Sequence, residues 1–139
     1  MRVTVKHRLR GDGRIWVDYV ETKVRRDPDG GYGVDAPDVW DRARVDYDIA
    51  ADWIRIERDE ETIDVPFHDG EADFTWRESP YHIASMVFGE IHVAQGGRPV
   101  VRGFVTVSGV HLDPVEPELL PVIRPLAWGL TLRSERLAR

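Results

Sequence analysis

The sequence predicts an all-β protein, an antiparallel up-and-down meander closed into a small barrel. Three observations carry that expectation. Apolar and polar residues alternate with a period of two through most of the chain, as in "WIRIER" and "EADFTW". Turn residues interrupt the alternation at regular intervals: "GDG" at 11–13, "DPDGG" at 27–31, "AAD" at 50–52, "DEE" at 59–61, "HDG" at 68–70 and "QGGR" at 95–98. Nearly all of these connections are short, so strands adjacent in sequence should be adjacent in space.

Strands are expected at 2–10, 14–25, 43–49, 53–58, 61–67, 71–77, 82–94, 99–112 and 126–134. Two stretches depart from the pattern. Residues 35–44, "DAPDVWDRAR", predict a short lid helix capped by Asp35. The segment 113–125 carries prolines at 114, 117, 121 and 125, which remove helix and ladder donors alike, so it reads as an irregular proline-rich strap. The run "LAWGLTLR" alternates Leu126, Trp128, Leu130 and Leu132 against smaller or polar residues, as a closing strand would. An open sheet of this width would expose two edges and one apolar face, and closure removes both liabilities. An alternative stays open at 80–95: Ser79 as N-cap, Pro80 and a following Gly96 also fit a helix, which would give an α+β fold packed on a curved antiparallel sheet.

Bulk properties bound the function. The 139 residues suit a single domain, 1–139, with 42% hydrophobic and 32% charged residues, an ordinary globular balance. A formal net charge of −6 with scattered basic residues argues against nucleic acid as a partner. No cysteine is present, which excludes disulfides and thiolate metal sites. No targeting pattern or apolar run of membrane-spanning length occurs, so the expectation is a soluble, cytoplasmic protein without a membrane partner. Lys6 and Lys23 are the only lysines, Asn is absent and Gln95 is the sole glutamine, a skew that suits a heat-adapted source or a GC-rich genome equally.

Candidate chemistry comes from pairing arithmetic. A two-residue turn centred on Asp12-Gly13 places Val5 opposite Val20, Leu9 opposite Trp16 and His7 opposite Asp18, with the imidazole–carboxylate pair on the apolar face. Such a pair could fix the imidazole tautomer and leave one ring nitrogen for proton transfer. A hairpin centred on Gly96-Gly97 likewise sets His82 opposite His111, with Met86, Phe88, Glu90 and His92 on their face. The spacing of these histidines is not that of a metal motif, and neither metal nor cofactor is expected. Aromatic residues are plentiful; Trp16, Trp40, Met86, Phe88, Glu90 and Trp128 are the candidate ligand-binding side chains.

The architecture is similar in form to the lipocalin-like, or calycin, style of barrel, without a diagnostic motif of those families and without any residue-level assignment. Barrels of about eight strands enclose packed side chains or one small ligand. The expected function is therefore binding of a small, mostly apolar or aromatic molecule in the barrel cavity. One alternative is a cofactor-independent isomerase, cyclase or hydratase using His7 and Asp18 there. Another is a structural or oligomerising module, for instance a homodimer, without ligand.

Overall fold

A computed structural model describes residues 2–6, 13–17, 20–26, 32–36, 40–58, 60–106 and 108–137; between Gly13 and Asp41 the side chains described are Arg14, Trp16 and Glu21. Twelve strands precede one long helix. In chain order they are β1 (Val3–Lys6), β2 (Gly13–Val17), β3 (Val20–Arg26), β4 (Tyr32–Ala36), β5 (Trp40–Asp48), β6 (Trp53–Arg58), β7 (Glu61–Pro66), β8 (Glu71–Trp76), β9 (Ser79–Ser85), β10 (Gly89–Gln95), β11 (Arg98–Thr106) and β12 (Gly109–Pro114). A single 3₁₀ turn, Pro117–Leu119, leads into α1 (Leu120–Leu137). No helix among the described residues is long and apolar enough to cross a membrane.

All twelve strands belong to one antiparallel sheet in the order β7-β6-β5-β4-β3-β2-β1-β12-β11-β10-β9-β8. The expected meander is present, with one non-sequential pairing, β1 with β12. The two outermost strands, β7 and β8, are consecutive in the chain and joined by residues 67–70. The sheet must therefore curve until its edges approach each other. Among the described residues no β7–β8 ladder closes it into a barrel; the bridge His68↔Glu71 belongs to the turn. That turn, at Asp69 (φ 52°) and Gly70 (φ 81°), is the type the "HDG" signal predicts.

Three sequence expectations are corrected here. The lid helix at 35–44 is instead the end of β4 and the start of β5, whose ladder bulges between Val34 and Ala36. The helix alternative at 80–95 is not formed, because β9 and β10 occupy that stretch. The long hairpin that replaces it in the sequence reading breaks too: each of its arms is divided into two strands, at 86–88 before Gly89 (φ 112°) and between Thr106 and Gly109. A Cβ on Gly109 would collide with the carbonyl of Val5, so glycine is what lets β1 approach β12 there.

The largest correction concerns the C-terminus. The expected strap and closing strand, 113–125 and 126–134, are the end of β12, the 3₁₀ turn and α1. Pro117 and Pro121 fall at the starts of helical turns, where their missing N–H groups have no partner to lose, and only Pro125 stands inside the helix. An interior proline costs about 3 kcal/mol. Burying each of Leu126, Leu130 and Leu132 returns roughly 1.5–3 kcal/mol, so packing wins. From Val122 to Ser134 every residue of α1 is buried. A helix buried on every side belongs to the core, and the Leu-x-Trp-x-Leu-x-Leu spacing of α1 mimics a strand. The sheet wraps it with Val3, Val5, Val45, Ile54, Ile56 and Leu112 turned inward. Where the sequence reading expects a strand closing round an apolar cavity, this helix packs against the sheet, and Trp128, proposed from sequence as a ligand contact, is 2% exposed.

Candidate functional site

Among the described residues, α1 lies against the inner face of the sheet, and the polar and aromatic side chains gather on the outer face. One row of side chains crosses six strands there. Glu90 lies opposite Phe104, Phe104 opposite His111, His111 opposite Thr4, Thr4 opposite Trp16, and Trp16 opposite Glu21. Alternation along each strand turns the whole row outward, because Val3 and Val5 on β1 and Val110 and Leu112 on β12 point to the core.

The row is built around two flat walls and a short floor. Phe104, 36% exposed, stacks on the His111 ring with centroids 4.8 Å apart and planes 29° apart. Thr4 Oγ1 lies 3.2 Å from His111 Nδ1 and fixes the ring's orientation. On the far side of Thr4, the Trp16 ring carries the Lys6 ammonium 5.4 Å from its centroid. Burial, followed by the nearby Arg2 charge, lowers the His111 pKa, so the imidazole is neutral near pH 7. Arg2 reaches away from Thr4, pairing with Asp113 at 2.8 and 3.0 Å and leaning over the Phe104 ring at 5.7 Å. At the far end of the row Arg14 pairs with Glu21 at 3.0 Å.

A second assembly lies on β8–β10. His82 Nδ1 is 2.7 Å from Asp73 Oδ1, and its Nε2 is 3.1 Å from Glu71 Oε1. These two hydrogen bonds, Asp73 first, raise the imidazole's pKa. Both ring nitrogens thereby face carboxylates, an arrangement that favours the protonated ring. The pair borders an open groove of about 340 Å³ lined by Thr75, Pro80, Ala94, Gly96 and Gly97. Among the described residues no three histidine or carboxylate side chains are placed to hold one metal ion.

The residues proposed from sequence fare unequally. Trp16, Glu90 and His111 fall in one row, although on the outer face. His82 and His111 are not neighbours: His82 lies opposite Asp73 and Ala94, and His111 opposite Phe104 and Thr4. Met86 and Phe88 are 63% and 44% exposed in the 86–88 connection, outside both assemblies. Trp40 opens β5, and its side chain is outside those described. His7 and Asp18 lie outside the described residues. The register on which their pairing rested is not the one formed: Val5 lies opposite Ile15 rather than Val20, and Trp16 opposite Thr4 rather than Leu9. Phe104 and Thr4 were missed. At the Gly96-Gly97 turn the pairing follows the predicted register, Ala94 with Pro99, but Val93 pairs with Val101 and leaves Val100 as a bulge. One extra residue turns every later side chain of β11 to the other face. The visible signal was the adjacent pair Val100-Val101, both buried, in an otherwise alternating strand.

Comparison with known proteins gives no match: no family model, curated protein or solved structure is similar to the chain.

Proposed function

We propose that the protein binds a small, flat, mostly apolar or aromatic molecule, and that it does so on the outside of its sheet, in the slot above Thr4 between the His111 and Trp16 rings. The observation that carries this reading is the placement of a short side chain between two ring-bearing ones in a single register row. Neighbouring strands are ~4.8 Å apart, the same as the centroid spacing of the His111–Phe104 stack. A planar guest standing over Thr4 would continue that stack, at stacking distance from His111 on one side and from Trp16 on the other. The neutral state of His111 favours such packing, since no imidazolium has to be desolvated. We further infer that the sheet, rolled round α1 until β7 and β8 approach, serves as the barrel-like scaffold for this slot rather than as a container.

Titration calorimetry and ligand-observed NMR with indole, naphthol and similar flat compounds test the reading. Binding is expected in the intact protein, weakened about tenfold by Trp16→Ala through loss of one stacking wall and abolished by Thr4→Phe, which fills the slot. If no compound in the panel binds, or if Thr4→Phe leaves binding unchanged while the protein melts normally, this assignment fails.

A further inference from the structure

The charges around the slot specify more than flatness. Resting on the reading above, we propose that the natural ligand is a planar aromatic carrying one anionic substituent, a carboxylate or a phosphate, and that the Lys6 ammonium receives it.

Among the described charged side chains of β1, β2 and β12, Lys6 alone lacks an opposite charge. Arg2 is bound through two nitrogens to Asp113, and Arg14 is paired with Glu21. Both guanidinium groups are thus neutralised locally, and both carboxylates with them. Lys6 stands two residues beyond Thr4 on the same face of β1, at the upper end of the slot. It is exposed, and its contact is with the Trp16 ring at 5.4 Å; it makes no ion pair among the described residues. A lysine with a carboxylate available across the strand would ordinarily reach it. This one instead rests over the wall of the slot, and the nearest described carboxylates, Asp113 and Glu21, are held by arginine.

A guest ring seated over Thr4 would therefore find the Lys6 ammonium at its edge, while the described carboxylates nearest the slot, Asp113 and Glu21, are held by arginine. An anionic substituent directed along β1 toward Lys6 forms a charge-assisted hydrogen bond and leaves the ammonium free to stay against the Trp16 ring. A cationic substituent in the same position meets Lys6 at close range. The compact, mobile ammonium suits carboxylate and phosphate equally, because it acts as a point charge rather than as a bidentate fork.

The test holds the ring constant and varies the charge. Indole-3-acetate, indole-3-acetamide and tryptamine are titrated into the full chain, with adenosine monophosphate against adenosine as the phosphate arm. The carboxylate is expected to bind about tenfold more tightly than the amide, and the amine more weakly than either. Lys6→Gln should remove the preference for the anion, so that indole-3-acetate and indole-3-acetamide bind alike, and its melting curve should match that of the parent because Lys6 is exposed. Preference for the nucleotide over adenosine, lost in the same variant, would assign the phosphate. Equal binding of all three indoles, or a preference that survives Lys6→Gln, overturns the charge assignment and leaves the slot standing. Absence of binding by every compound overturns both.

Discussion

At the scale of single residues, the two histidines on the outer face respond to acid in opposite directions. His82 is held between Asp73 and Glu71, which raises its pKa above that of an unfolded chain. Its contribution to stability is fully present below the unfolded value of about 6.5 and is lost as pH rises through the folded one. His111 is the reverse case: burial lowers its pKa, so its neutral ring contributes fully above about pH 6.5 and less as pH falls. Because His82 is half-exposed, solvent screens its pairs and the effect is small. Replacing it, as His82→Gln, is expected to lower the melting temperature at pH 5.5, by an amount that shrinks as the pH is raised. A deficit that grows with pH would contradict a favoured protonated ring. Residue types suggested these positions in the sequence, since histidine, tryptophan and glutamate stand out individually. Their partners did not stand out: threonine, phenylalanine and lysine acquire a role only when the register aligns them.

At the scale of elements, the strands were legible wherever a turn residue marked their ends, as at 68–70 and 96–97. They were misread where a turn falls inside an alternating run, as at 86–88 and between Thr106 and Gly109, and at β9, whose start is expected at 82 but falls at Ser79. Arg77 and Glu78 turn β8 into β9 with φ of 48° and 65°, values that residue identity does not advertise. The helix was misread for a different reason. A segment buried on every side shows no amphipathic period, so periodicity cannot separate it from a strand, and its prolines argued against either. Gly129 shows how closely α1 is fitted: a Cβ there would lie 2.5 Å from Ile54 Cγ2 and 3.2 Å from its Cδ1. Alanine would gain about 1 kcal/mol of helix propensity, against an overpacking cost of roughly 1–3 kcal/mol. Ile54 Cγ2 sits next to the β6 backbone and has little room to move. Gly129→Ala is therefore expected to be neutral to destabilising by about 2 kcal/mol in denaturant titration, the opposite of the usual gain from glycine to alanine in a helix. A clear stabilisation would mean that α1 is packed less tightly than described.

At the scale of the whole molecule, one buried arginine gathers the segments where the sheet's edges meet. Arg133 of α1 lies 4.0 Å over the Phe67 ring. Its Nε and Nη2 donate to the two carboxylate oxygens of Asp52 at 2.8 and 3.3 Å, and its Nη1 donates to the Ser85 carbonyl at 2.9 Å. Asp52 also accepts from the Tyr47 hydroxyl at 2.7 Å, and Arg136 donates to the Tyr47 carbonyl at 2.7 Å. The turn after β5, the connection after β7 and the end of β9 are thus tied to one helix. Burial and the Asp52 bond together raise the Tyr47 pKa, keeping the phenol protonated. Arg133→Leu would leave the Ser85 carbonyl and the Asp52 carboxylate without this donor and is expected to cost about 3 kcal/mol. Hydrogen exchange should show the ends of β7 and β9 opening first. Uniform destabilisation without a local signature there would argue against a clasp at the sheet edges.

The sequence by itself determined much of the local geometry: an antiparallel meander of short strands, most of its turns, and which side of β1 faces the core. Each of these depends on neighbours within a few residues, through alternation and backbone preference. Only the tertiary structure decided what fills the rolled sheet and which side chains share a row on its surface. The filler is decided by burial on all sides, which erases the periodic signal of the helix. The row is decided by register, and a single bulge at Val100 moves an entire strand's side chains from one face to the other.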